Sequence, residues 1–356
     1  MQKFNAILMA LAILLPAHKL IAQNKTGKLD TLLHKIHNEG KFAGAILVAN
    51  KQGVVYKNGF GNASLKPAIP NNFNTVFYIA SISKPFTSVL IMQMVQRGKI
   101  NLGNTLQDYL PHLKNKSMRK VTLHQLLSHT SGIPDFVDGT TSEKKYTEQW
   151  FTKKLDSLTF DSTAGKEFKY ANSTYVLLAY IIERVTGKPY AKNLEENILK
   201  PSGMHQSGSL VSGQKIKNIA EGLVILDSII TVASYLNPAS FQGAGSIYST
   251  VEDLYKFDQA LYGDKLLAVK YKEMMFTNQS EAPYGYGWFV RKLPVGKVVM
   301  HEGDFPGYTS LIFRAIENNY SIILLANNQS HNKYKQEIVK QVIGVLMEGD
   351  NLGETR

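Results

Sequence analysis

The feature that most restricts how this chain can fold is the stretch Tyr78-Ile79-Ala80-Ser81-Ile82-Ser83-Lys84-Pro85-Phe86. An apolar, strand-like approach delivers a serine, a lysine follows three residues later, and a proline opens a helix, where its missing N–H costs nothing. From Phe86 to Arg97 the apolar residues Val89, Leu90, Ile91, Met94 and Val95 recur at helical spacing, and Gly98 supplies the stop. Ser81 and Lys84 are therefore expected at i and i+3 on one face of the first helical turn. Unpaired backbone N–H groups and the positive helix end favour an alkoxide there and disfavour an ammonium. A serine needs a base to become a nucleophile, and a lysine with a depressed pKa supplies one. Ser-x-x-Lys also begins at Ser117, Ser142, Ser212 and Ser330, but in polar or basic stretches that suit a solvated surface. Only the Ser81 copy joins a strand-like approach to a proline-led helix.

Composition narrows the setting. With 44% hydrophobic and 19% charged residues in 356, the chain is an ordinary globular one of one or two domains. Residues 1–22 stand apart: Lys3 gives a charged start, Ala6 to Pro16 an apolar core, and Ala22 a small residue before Gln23. That core is about half the ~20 apolar residues of a spanning helix, so a cleaved secretory signal is expected, with an uncleaved anchor as the alternative. No cysteine is present, which excludes disulfides, thiol catalysis and thiolate metal sites. An exported chain of this kind suits a periplasmic or secreted enzyme, with no stable membrane span once the signal is removed. The formal charge of +12 is scattered except around Lys114 to Lys120, no aromatic interleaving accompanies it, and no nucleic-acid partner is expected.

Along the mature chain, Leu29, Leu32, Leu33 and Ile36 mark an amphipathic helix over Lys28 to Glu39, on which His34 and His37 form a surface pair. Ala43 to Ala49 and Val54 to Tyr56 flank Asn50-Lys51-Gln52-Gly53, a hairpin signal. Thr122 caps a short helix from Leu123 to Ser128, and residues 135–169 form a polar surface excursion. Asn172 or Ser173 is expected to cap an apolar helix from Tyr175 to Val185, and a second runs from Tyr190 to Leu199 and stops at Pro201. Thr250 and Asp253 resemble a capping box for a helix reaching Leu261. Strand-like runs then follow over Gly287 to Val290, Lys297 to Met300, Tyr308 to Phe313 and Ser321 to Ala326, before a closing helix from Lys335 to Met347. Residues 23–356 are thus expected to form one unit. Its α/β layer takes residues 28–80 and 241–350, its helical lobe takes 81–240, and a site lies in the crevice between them.

Two further elements carry chemistry. Tyr-x-Asn occurs at Tyr56, Tyr170 and Tyr235, and only Tyr170-Ala171-Asn172 lies just ahead of an apolar helix. A tyrosine there can exchange protons with a serine, and the Asn172 amide can orient substrate or lysine; a packed tyrosine beside a capping asparagine fits equally. His301-Glu302-Gly303 closes one strand and leads through Asp304-Phe305-Pro306-Gly307 into the next. Its glycine permits close approach of a substrate backbone.

In this order the three elements resemble the serine β-lactamase and penicillin-binding family, most closely its class C branch of D,D-peptidases, D-aminopeptidases and esterases. Four more stretches share the likeness: Leu126 to Pro134, Gly243 to Thr250, Tyr284 to Trp288 and Pro306 to Ser310. The resemblance implies an α+β fold with an antiparallel sheet flanked by terminal helices, and a mostly helical lobe. It implies Ser81 as acylated nucleophile, Lys84 as base, Tyr170 as proton relay and Asn172 as substrate orienter. His301 stands where the third motif usually has lysine. Gly303 lines the substrate, and the backbone N–H groups of Ser81 and Asp304 form the oxyanion hole. The literal Lys25-Thr26-Gly27 lies too far upstream to serve as that third motif. Histidine for lysine, and a Glu302 whose charge would repel a substrate carboxylate, turn the expectation from penicillins toward esters and peptides. No Ser-Asp-Asn, Gly-x-Ser-x-Gly, His-Glu-x-x-His or phosphate loop is present, and no cofactor is expected. The expected function is an exported serine hydrolase acting through a Ser81 acyl-enzyme on a small-molecule or peptide amide, ester or β-lactam. The alternative is a catalytically silent protein of the same fold that binds wall peptides or β-lactams.

Overall fold

The strands that close the chain pair with the hairpin that opens it. The computed structural model describes residues 24–139, 146–159, 165–211, 213–226, 229–234 and 236–348; the expected leader over 1–22 lies outside them. In chain order the strands are β1 (Gly44–Asn50), β2 (Gly53–Phe60), β3 (Asn62–Leu65), β4 (Ala68–Pro70), β5 (Phe77–Tyr78), β6 (Gly208–Ser209), β7 (Leu223–Leu226), β8 (Ile229–Val232), β9 (Ile247–Ser249), β10 (Phe289–Leu293), β11 (Gly296–Phe305), β12 (Tyr308–Ala315) and β13 (Tyr320–Ala326). The helices are α1 (24–38), α2 (Ser83–Gln96), α3 (Leu106–Tyr109), α4 (Leu123–Leu127), α5 (Glu148–Asp156), α6 (Asn172–Thr186), α7 (Tyr190–Leu194), α8 (Lys200–Ser202), α9 (Val251–Ala260), α10 (Val269–Met275) and α11 (Lys335–Met347).

The main sheet has six strands in the order β10-β11-β12-β13-β1-β2, and each pairing is antiparallel. Strand periodicity explains why it is covered on both faces. On β1, Ala45, Leu47 and Ala49 join one core, while Ile46 and Val48 join another. On β13, Ile323 and Leu325 face the first core, and Ile322 and Leu324 the second. The second core is closed by Leu29, Leu33 and Ile36 of α1 and by Ile338, Val339, Val342 and Leu346 of α11. The first extends through α2 and α6 into the helical part, where Phe86 stacks on Phe257 at 3.9 Å between ring centroids. Lys25 donates to the Leu346 carbonyl (2.6 Å), so the literal Lys-Thr-Gly belongs to the seam between α1 and α11.

Local expectations meet three corrections. Thr122 caps α4 as expected, with Gln125 returning the bond. Thr250 accepts from Asp253 N (3.2 Å), but the Asp253 carboxylate bonds Gln206, Ser207 and Lys256 rather than closing the box. The helix expected to stop before Pro201 continues from α7 through a π-helical turn, Glu195–Leu199, into α8, with Pro201 in the first turn of α8, where its missing N–H costs little. Residues 135–169, expected as a polar surface excursion, include α5.

Candidate active site

Ser81 lies in a single 3-10 turn, Ala80–Ile82, between β5 and α2. The preceding Ala80 has φ +46, a left-handed conformation that a residue with a Cβ adopts only under tertiary constraint. Helix α2 therefore starts at Ser83, two residues later than the spacing suggested. Its buried start is pinned by Ser83 Oγ accepting from Ile247 N (3.1 Å) and by Thr87 Oγ1 donating to the Gly243 carbonyl (2.6 Å). Lys84 is fully buried. Its Nζ reaches Ser81 Oγ at 3.0 Å, Asn172 Oδ1 at 2.8 Å and the Ala244 carbonyl at 3.1 Å. It also lies 4.6 Å from the centre of the Tyr170 ring and 5.7 Å from that of Tyr175. Every bonded partner is neutral, so burial pushes its pKa down to about 7, opposed only by the nearby Asp135 carboxylate.

Tyr170 turns its hydroxyl to Ser81. The residue is 37% exposed, yet its hydroxyl end is shielded, and that burial raises its pKa above the ordinary tyrosine value. The ring rests on His129, 4.4 Å between centroids, and His129 is wholly buried with φ +57. Burial, reinforced by Lys84 and His301, holds the His129 pKa well below its usual value. Its Nδ1 accepts from Ala171 N (3.3 Å), which assigns the proton to Nε2.

Asn172 does not cap the helix after it. Helix α6 starts at Asn172 itself, and the Asn172 amide spans Lys84 on one side and Asp135 Oδ2 (2.9 Å) on the other. Ser173 does not cap it either: Asp135, from the loop after α4, accepts from both Ser173 N (3.1 Å) and Ser173 Oγ (2.8 Å). The helix start is thus satisfied by a residue 38 positions away in sequence, which local pattern cannot reveal. Asp135, His129 and the Ala244 carbonyl are site groups to which local pattern assigns no role.

The third element requires two corrections, both from strand alternation. His301 was expected in the substrate's path, but its ring is 1% exposed, with Nδ1 against the Glu302 carbonyl (2.7 Å) and Nε2 against Tyr284 OH (3.3 Å). Its ring centre lies 6.3 Å from that of Tyr170. Burial pushes its pKa to about 3, leaving it neutral. Glu302 points to the opposite face of the sheet, where Gln336 and Lys335 (3.0 Å) bind it, so its charge does not confront a substrate at Ser81. The Asp304 side chain lies on that face too, bonded to Thr309 Oγ1 (2.5 Å) and Lys335 (3.1 Å). Gly303 faces Ser81: a Cβ there would lie 2.9 Å from Ser81 N and overlap the Ile79 carbonyl. Only glycine lets β11 come this close to the nucleophile turn.

An apolar cavity of about 300 Å³ borders the end of β11, lined by Tyr78, Val232, Leu236, Phe305, Pro306 and Tyr308. A wider groove of about 880 Å³ lies between β10, β11 and α11, on the face away from Ser81, and plays no part in this constellation. Among the described residues, no group of three or more His, Asp or Glu side chains could hold a metal ion.

This fold and site define a class. Residues 29–343 match the family model described as Beta-lactamase. Penicillin-binding protein 4* of Bacillus subtilis is 30% identical, covering 91% of this chain and 76% of that protein. The putative penicillin-binding protein PbpX of the same organism is 33% identical over 90% and 79%, respectively. The crystal structure of a penicillin-binding protein from Bacillus halodurans superimposes with a TM-score of 0.77 at 26% identity, covering 88% of this chain and 98% of that one. The chain belongs to the β-lactamase family of serine hydrolases and has its α+β fold.

Proposed function

We propose that this protein is an exported hydrolase that forms an acyl-enzyme on Ser81, with Lys84 as the base. The observation that carries this is a fully buried lysine without a bonded carboxylate, 3.0 Å from the serine, with its pKa lowered to about 7. Near neutral pH a large fraction of Lys84 is the free amine and accepts the Ser81 hydroxyl proton as Oγ attacks a carbonyl carbon. The oxyanion takes hydrogen bonds from the backbone N–H groups of Ser81 and Asp304, a contribution of ~3 kcal/mol per donor. Collapse breaks the bond to the leaving group, which receives the proton back from the Lys84 ammonium through Tyr170. Tyr170 remains a phenol at working pH, so it donates and relays rather than serving as the resting base. Water then adds to the ester carbonyl as Lys84 takes its proton, and Lys84 passes that proton to Ser81 Oγ as the acyl–oxygen bond breaks, which restores the hydroxyl and the free amine.

Asn172 positions Lys84 and borders the acyl portion of the substrate, while the apolar cavity beside Phe305 suits a hydrophobic substituent. Neutral His301 supplies no cation for a substrate carboxylate, so amides and esters without that group are favoured over penicillins. Export rests on the leader pattern of residues 1–22, and N-terminal sequencing of the mature protein tests it: a start at Gln23 is expected, and an intact Met1 contradicts cleavage. Intact-mass analysis with an activated ester and a fluorophosphonate tests the chemistry. Adducts should map to Ser81 and vanish in Ser81→Ala, and a folded protein that acquires none would refute it.

A further inference from the structure

The wide groove on the face away from Ser81 is apolar along its walls and cationic at its rim. One wall is β10, the edge strand of the main sheet, whose Phe289, Arg291 and Leu293 share a face by strand alternation. The other is α11, where Val339 and Ile343 lie one turn apart, and Phe313 of β12 closes the space between them. The volume of about 880 Å³ lies within the ~300–1,000 Å³ of small-molecule sites. Two features point to what fills it. The first is charge. Arg291 comes from the strand wall and Lys340 from the helix wall; both are exposed, and among the described residues neither side chain has a hydrogen-bond or ion-pair partner. The carboxylate that lines the groove, Glu302, is already held by Lys335 and Gln336. An anion entering here gains two uncommitted cations, whereas a cation meets repulsion. The second feature is Gly344, which lines the groove from within α11. A helical glycine costs up to ~1 kcal/mol against alanine. A Cβ at Gly344 would meet nothing within 4 Å, so no described neighbour demands glycine there. What the glycine provides is an open helix wall, one turn after Lys340. Residues 349–356 carry a single large apolar side chain, Leu352, too little to fill the groove.

We propose that this groove is a binding site for an anionic single-chain amphiphile. Its alkyl tail lies against Phe313 and Ile343, and its carboxylate or phosphate head bonds Arg291 and Lys340. The site is separate from Ser81 and stands independently of the hydrolase reading.

The test is equilibrium dialysis of the mature protein against dodecanoate and against dodecanoyl-lysophosphatidylglycerol, both below micelle formation, with dodecyltrimethylammonium as the cationic counterpart. One anionic amphiphile per chain is expected, bound ~10-fold or more tightly than the cationic one, the scale of a hydrogen bond to a charged group. A preference for dodecanoate or for the lysophospholipid identifies the head as a free carboxylate or a phosphodiester, and either result supports the site. Gly344→Leu should fill the groove and weaken binding ~10-fold or more, with the unfolding temperature unchanged or raised. This variant leaves the cavity beside Phe305 intact, so it separates the two apolar sites. Arg291→Gln combined with Lys340→Gln should remove the preference over the cationic amphiphile, and this arm holds even where the leucine variant fails to fold. No binding of either anion, equal binding of the cation, or binding that survives Gly344→Leu would overturn the proposal. Tighter dodecanoate binding after removal of residues 349–356 would assign the groove to that tail instead. A dimer in sedimentation that Gly344→Leu dissociates and dodecanoate does not would assign it to a second copy of the chain.

Discussion

Lys84 and Lys335 are the two most deeply buried lysines among the described residues, and their settings are opposite. Lys84 sits among a serine, an amide and a backbone carbonyl, all neutral. Lys335, in the seam between β11 and α11, is 1% exposed but ion-paired to Glu302 at 3.0 Å and Asp304 at 3.1 Å. Burial alone does not make a base. It does so where no carboxylate stays bonded to the ammonium, and the fold separates the two cases by placing alternate residues of one strand on opposite faces. His301 and Gly303 serve the nucleophile side, while Glu302 and Asp304 serve the lysine that closes α11 on the sheet.

The largest expected effects break the Lys84 side. Ser81→Ala should abolish acylation outright, and Lys84→Met should lower kcat/KM for an activated ester by ~10³-fold, the range of a positioned general base. Lys335→Met should leave Ser81 acylation within a few-fold of wild type, because its partners face away from the nucleophile. If the two methionine variants lost activity equally, the contrast would be wrong.

Next in size is Gly303→Val. Its side chain would press on the Ser81 turn, and a displacement of ~1 Å there is worth ~10²-fold in rate, with little change in far-ultraviolet circular dichroism. Normal turnover by this variant would show that β11 is not held against the nucleophile.

Stability should divide the lysines in the reverse sense. Lys335→Met leaves two partly exposed carboxylates facing each other without a cation, and a loss of ~1–2 kcal/mol in denaturant unfolding is expected after allowing for solvent screening. Lys84 has a folded pKa of about 7 against an ordinary lysine value of 10.5, so between those values the unfolded chain binds more protons than the folded one. Stability from this group therefore rises with pH across that window and is lowest below it. At pH 7 the buried amine is a cost, and Lys84→Met should be more stable than wild type by ~1 kcal/mol, a familiar exchange of stability for activity. A destabilised Lys84→Met would mean that the bonds to Asn172 and Ala244 outweigh desolvation.

Much of this was legible in the chain itself. The proline-led helix after Ser81 and the late strands announced themselves through turn residues and period-2 or period-3.6 patterning, α11 runs over the residues that its apolar spacing marked, and the Tyr170 and His301 elements drew their expected roles from the family resemblance. What stayed hidden was non-local. No pattern near Asn172 shows that its amide is shared between Lys84 and Asp135, because Asp135 arrives from another loop. Glu302 looked like a charge in the substrate's path because a strand's facing depends on which neighbour covers each side, and Lys335 is 33 residues further on. Ala80 reads as an ordinary small residue, yet it takes the left-handed turn that sets Ser81 ahead of the helix.

The most direct test of the central claim is the pH dependence of the single-turnover acylation rate, followed by intact mass between pH 5 and 9 with an activated ester. The rate should rise about tenfold per unit below pH 7 and level off above it, as Lys84 with a pKa of about 7 loses its proton, and each adduct should map to Ser81. A rate independent of pH across that range, or an adduct that persists in Ser81→Ala, would contradict the assignment of Lys84 as the neutral base for Ser81.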